Sequence, residues 1–168
     1  GTMSYAPNVD AALFFYHEIF PMVRERIPNV KLYIVGASPG AEILNLKEDP
    51  AVVVTGRVDD IRDYIYQSAI YVCPMRYGTG IKNKVLEAMA MGVPVVATPA
   101  SIAGIPAVDG EHISLTGTPD AFARETIRLL EDKMKRARMT GNARKLVEAH
   151  FNWADRAKMI EDIYRRIT

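Results

Sequence analysis

A chain of 168 residues with 49% hydrophobic and 24% charged residues has the composition of one globular domain with a substantial core, which excludes a disordered or low-complexity polypeptide. With 21 basic against 20 acidic side chains the formal net charge is +1, so no global field draws nucleic acid or an anionic membrane, and any anion must be held locally. No apolar run reaches the ~18 residues that span a bilayer, no basic-then-apolar leader opens the chain, and a lone cysteine, Cys73, excludes an internal disulfide framework. The expectation is a soluble protein in a reducing cytoplasm.

Along the chain, apolar runs alternate between strand and helix periods, the pattern of a parallel sheet covered by helices. Pro7-Asn8 makes a start signal, with Asn8 as the expected cap. Val9, Leu13, Tyr16, Phe20, Val23 and Ile27 then recur at helical spacing until Pro28. Lys31 to Gly36 (KLYIVG) reads as a strand, followed by the turn Ser38-Pro39-Gly40. Val52 to Val54 form the next strand, closed by Gly56, and Asp59 or Asp60 can cap a helix carrying Ile61, Tyr64 and Ile65. Ile70 to Cys73 is a third strand, with Cys73 buried. A loop and helix over residues 78–91 lead to a strand at Val93 to Thr98 and a weak strand at His112 to Leu115. From Pro119 the pattern is helical, through Phe122, Leu129, Leu146 and Val147 to a last helix from Trp153 to Ile167. No linker or repeat divides the chain, so residues 1–168 are expected to form one domain: a Rossmann-like, doubly wound parallel sheet flanked by helices, with a helical C-terminal extension.

The run GTGIKNKVLEAMAMGVPVVAT, Gly78 to Thr98, carries the chemistry. Gly78 and Gly80 free the backbone of a loop that opens a helix, whose unpaired N–H groups and positive dipole end suit an anion. Lys82 and Lys84 add charge where lysine is otherwise unfavourable, and an attracted phosphate is the simplest reason for them. Lys84 reads equally as a solvated helix residue. One turn on, the Glu87 carboxylate is placed to accept hydrogen bonds from sugar hydroxyls. A phosphate beside a polyol acceptor describes a nucleotide.

Glu87-Ala88-Met89-Ala90, Gly92 and Pro94 to Ala97 resemble the second half of the donor-binding motif of GT-B glycosyltransferases, specifically glycosyltransferase family 4. The family motif has two glutamates as far apart as Thr79 and Glu87. Thr79 stands where the first one falls, a departure that resembles a bacterial sugar-transferase branch writing the loop as G-x-G-I-K-x-K. The opening GTMSYAPNVDA and the closing FNWADRAKMIEDIYRRI extend the resemblance thinly. It implies a retaining transfer of a sugar, hexosyl in type, from a nucleoside diphosphate to an acceptor. Gly78, Thr79, Gly80, Ile81, Lys82 and Lys84 would hold the diphosphate and Glu87 the ribose, with Lys82 and Glu87 as the catalytic pair. The turn Gly56-Arg57-Val58 would lie against the base; Arg57 reads either as a stacking partner or as a surface ion pair with Asp59 or Asp63. Gly36 to Pro39 ends another strand at the same edge and reads as a site lining or, preferably, as an ordinary turn, while Tyr5 and Asn8 would lie at the family's interdomain cleft.

The resemblance implies no metal or other cofactor, because helix dipole and basic residues stabilise the departing diphosphate. Neither the spacing of His17, His112 and His150 nor any acidic cluster suggests a metal site. Met89, Met91 and Trp153 read as core. The family's apolar first strand immediately precedes the glycine that is Gly1 here, and its N-terminal acceptor domain would be the missing partner, so an isolated half without activity of its own is expected. The loss of a central strand leaves three outcomes: its neighbours pair with each other, residues 1–5 enter the slot, or a second copy supplies an edge. Self-association is favoured, and a cytoplasmic location, at the inner membrane face for the full-length protein, follows from the resemblance. The reading from another class is a non-catalytic nucleotide-binding or scaffolding module on the same fold, kept open by Thr79.

Overall fold

The computed structural model describes residues 1–167; the side chains of residues 153–156, 159, 166 and 167 lie outside the description, and with them the core role expected of Trp153. The strands are β1 (Leu32–Val35), β2 (Val52–Gly56), β3 (Tyr71–Cys73), β4 (Val95–Ala97) and β5 (Ser114–Leu115). All pairings are parallel, as β1-β2 and as β3-β4-β5. The Rossmann-like α/β class is as expected, with the strands hydrogen-bonded in these two groups. Among the described residues β1 and β3 do not pair with each other. The chain's first residues occupy one end of the space between them: the Gly1 amino group donates to the Val35 carbonyl at 2.8 Å and the Met3 N–H to the Ala37 carbonyl at 2.7 Å. Partial entry of residues 1–5 is therefore seen at this end of the space.

Helices α1 (Ala6–Phe14) and α2 (Phe20–Arg26) replace the one long helix expected up to Ile27, with a π-turn at Phe15–Ile19 between them. Pro21 explains the break: it has no N–H to donate to the preceding turn and its ring crowds the carbonyl four residues back, so the backbone widens there. Phe15, Ile19, Phe20 and Val23 nevertheless stay on one buried face, against Leu32, Ile34, Val52 and Val54 of the sheet and Phe122 of α6 (Pro119–Glu131). A second core surrounds β4, where Val85, Ala88 and Met89 of α5 (Asn83–Ala90) meet Val95, Ala97 and Ile113. Met91 packs against it half-buried. Helices α3 (Ala41–Asn45), α4 (Ile61–Gln67), α7 (Lys133–His150) and α8 (Trp153–Ile167) complete the architecture, the last two with α6 forming the helical C-terminal extension. Asp60, rather than Asp59, caps α4, its Oδ1 accepting from the Arg62 N–H at 2.8 Å. Among the described residues no helix is long and apolar enough to cross a membrane.

A buried polar clamp fixes where β3 leaves the sheet. Ser101, fully buried, donates from Oγ to the Cys73 carbonyl at 2.5 Å and accepts from the Met75 N–H at 3.2 Å; Thr98 Oγ1 reaches the Met75 carbonyl. Cys73 itself is buried, which pushes its thiol pKa up. Ser101→Ala strands the buried Met75 N–H, while the Cys73 carbonyl keeps the Thr98 N–H at 3.2 Å, and a loss of about 1–3 kcal/mol in denaturant unfolding is expected. An unchanged unfolding midpoint would show the clamp to be idle.

Candidate nucleotide site

The segment leaving β3 reaches α5 through the glycine loop. Gly78 (φ 123°) and Gly80 (φ 73°) both adopt the left-handed backbone that the sequence anticipates. None of the N–H groups from Thr79 to Lys84, the first two of α5 included, donates to a main-chain carbonyl among the described residues. The result is a row of free donors at a helix's positive end, open to an anion. Ile81 lies over Gly104, where a Cβ would come within 2.9 Å of its side chain, so the far side of the loop rests on that turn.

The two lysines divide the work. Lys82 is the cap residue of α5, not part of its first turn, and it is 7% exposed. Its Nζ donates to the Thr79 carbonyl at 2.7 Å and the Gly80 carbonyl at 2.9 Å, so the ammonium cross-links the loop from within. Lys84 is half-buried and not solvated: its Nζ donates to Asn8 Oδ1 at 2.5 Å. Burial strips water from this ammonium, and it titrates below the ordinary lysine range, with Lys82 pushing the same way. Asn8 corrects a sequence expectation. It does not cap α1, whose cap is Tyr5; it sits inside the helix, donates from Nδ2 to the Thr2 carbonyl at 2.9 Å and holds Lys84 with its other end. No local pattern reveals this role, because the partners are 76 residues apart.

Glu87, one turn further along α5, is exposed, and the Gly1 amino group lies close enough to respond to its charge. Burial and then Lys84 lower that amine's pKa, while Glu87 raises it. Arg57 and Val58 follow β2 at the same carboxyl edge; Arg57 is exposed and forms no ion pair with Asp59 or Asp63 among the described residues. Arg76 was not singled out by sequence. It lies just past β3, pairs with Asp10 of α1 and stacks its guanidinium 4.8 Å from the Phe14 ring, which ties the loop's entry to α1. Tyr5 is exposed beside this region, and Ser38 at the end of β1 takes a left-handed φ of 57°. The histidines stay apart: His112 accepts from the Val108 N–H, His17 lies on the surface against Tyr16, and no group of three His, Cys, Asp or Glu converges among the described residues.

A glycine loop, two lysines and a carboxylate thus come together at the carboxyl edge of a parallel sheet, where open α/β folds bind ligands. Residues 1–132 match the family of glycosyl transferases group 1. The chain belongs to that family. Among its relatives is a putative teichuronic acid biosynthesis glycosyltransferase of Bacillus subtilis, TuaC, 28% identical over 143 residues, which cover 82% of this chain and 35% of TuaC. The fold is similar to that of Anabaena HepE solved with UDP, at TM-score 0.77 and 22% identity over 89% of this chain and 44% of HepE. It is also similar to the C-terminal domain of a group 1 glycosyl transferase, LpcC, from Francisella tularensis, at TM-score 0.72 and 20% identity over 85% of this chain and 80% of that domain. The chain thus spans about a third of its curated relative's length.

Proposed function

We propose that this group 1 glycosyl transferase chain is the donor-binding half of a retaining GT-B enzyme of family 4, bacterial in branch, which transfers a hexosyl group from a nucleoside-diphosphate sugar in polysaccharide synthesis. The observation that carries the reading is the row of free N–H groups from Thr79 to Lys84 beside the two buried or half-buried lysines. HepE has been solved with UDP and with UDP-glucose, which makes uridine the base to test first. In the proposed reaction the loop N–H groups and Lys84 take up charge on the diphosphate as the glycosidic bond breaks, and Lys82 keeps the loop in the receiving shape without moving. Glu87 binds the ribose hydroxyls, and Arg57 with Val58 flank the base. The acceptor would be held by a second domain, and one wall of a cleft neither positions an acceptor nor excludes water, so the chain alone binds donor without transferring sugar. No metal is required in this scheme.

Titration calorimetry with UDP, UMP and uridine separates the roles. Lys82→Ala is expected to weaken UDP by about 1–3 kcal/mol while leaving uridine nearly unchanged, whereas Glu87→Gln weakens all three alike. Equal losses on UDP and uridine for both variants would refute the division. Absence of UDP binding at millimolar concentration would favour the scaffolding module instead, for which Thr79 is the specific observation.

A further inference from the structure

No main-chain ladder holds the glycine loop in place. Among the described residues, no N–H of residues 76–84 donates to a main-chain carbonyl, so the orientation of the segment is left to its side chains. Lys82 ties Thr79 to Gly80 from within, which stiffens the loop without fixing it to the rest of the fold. On its far side Ile81 rests on Gly104. Its entry, middle and exit are held from α1. At the entry, Arg76 donates from Nε to Asp10 Oδ2 at 3.0 Å and from a terminal nitrogen to Asp10 Oδ1, while its guanidinium carbon lies 4.8 Å from the Phe14 ring centroid. Asp10 and Phe14 are one helical turn apart, so a carboxylate and a ring meet the same guanidinium. In the middle, a Cβ on Gly78 would lie 3.7 Å from Pro7 Cβ, and at the exit Lys84 Nζ donates to Asn8 Oδ1. The two polar partnerships join residues 66 and 76 positions apart, so tertiary contact alone registers the loop against α1.

We propose that Asp10 and Arg76 are positioning residues for the transfer reaction, which set the glycine loop against α1 so that its free N–H groups face the diphosphate. This rests on the donor-site reading above. Arg76 is not itself a diphosphate ligand: two of its nitrogens are committed to Asp10, and the carboxylate offsets its charge. Asp10 has nothing to offer an anion and acts only through the arginine. The pair governs the phosphate end of the donor and not the base, because Arg57 and Val58 sit on the separate turn after β2. The two roles open to Arg76 differ in sign. If Arg76 bound the diphosphate, removal of the Asp10 carboxylate would free a cation and take away a negative charge, and UDP would bind more tightly. If the pair positions the loop, the same change releases the entry, and UDP binds more weakly.

The test uses the whole chain and its variants Asp10→Asn, Arg76→Met and the double substitution, titrated with UDP and with uridine. Each single substitution is expected to weaken UDP about tenfold and to leave uridine within about twofold, and the double is expected to lose no more than the weaker-binding single, because both break one unit. Asp10→Glu keeps a carboxylate within reach of the guanidinium and is expected to retain most of the affinity. Tighter or unchanged UDP binding by Asp10→Asn overturns the proposal. So do losses that add in the double variant, and so do equal losses on uridine, the mark of a merely structural role. The free chain supplies a readout that needs no nucleotide: in Asp10→Asn the amide resonances of Gly78 and Gly80 are expected to shift, although the substitution lies far from them in the chain. Unmoved resonances would overturn the proposal. Failure of the parent chain to bind UDP would refute the donor-site reading, and the same resonances would then decide whether the pair sets the loop.

Discussion

Replacing Lys84 with methionine is expected to weaken UDP binding by about 1–3 kcal/mol at neutral pH and to remove a pH dependence that the parent chain shows. The ammonium is half-buried, anchored to Asn8 and close to Lys82, so folding holds its pKa below the ordinary lysine value of 10.5, with desolvation as the larger cause. For a base with a depressed folded pKa, the unfolded chain binds more protons between that depressed value and 10.5, so this group's share of the folding stability rises with pH across that window. A bound diphosphate acts in the opposite direction: it favours the protonated form, so UDP affinity falls across the same window. The difference between parent and Lys84→Met isolates the lysine. If UDP affinity had the same pH profile in both, Lys84 would not contact the diphosphate. Asn8→Ala offers a check on positioning, since it leaves both charges in place yet is expected to shift the Lys84 profile.

Gly78→Ala is expected to abolish UDP binding while every charged group remains. At φ 123° an L-residue is strained, and a Cβ there would meet Met75 Cε at 3.3 Å and Lys82 Nζ at 3.5 Å, the atom that cross-links the loop. Strain of about 1–3 kcal/mol is enough to make the loop adopt another backbone path and turn its N–H groups away. Gly40→Ala is the control, because that glycine has an ordinary φ of −73° and open space around it. Normal UDP binding by Gly78→Ala would mean that the loop's observed conformation is not the one that receives the anion.

How far the sequence foretold these features depends on how local their causes are. The glycine loop, the helix behind it and all five strands were legible, because turn chemistry and apolar periodicity act over a few neighbouring residues. Pro21 was missed as the origin of the π-turn because the apolar positions continue past it at helical spacing, and periodicity alone hides a missing donor. Asn8 was misread as a cap because its position after Pro7 fits one, whereas its actual partner, Lys84, comes from the far side of the fold. The same applies to Ser101, an unremarkable serine in a proline-bearing connection until β3 and β4 bring its hydroxyl to Cys73 and Met75. Lys82 was placed on the right loop with the wrong posture: its charge turns inward to the Thr79 and Gly80 carbonyls.

Amide hydrogen exchange at Thr79 to Lys84, with and without saturating UDP, bears most directly on the claim that the loop's free N–H groups receive the diphosphate. Slower exchange across that stretch with UDP, and no change there with saturating uridine, is the predicted result. Unchanged exchange at these amides with UDP bound, or equal protection by uridine, would contradict it.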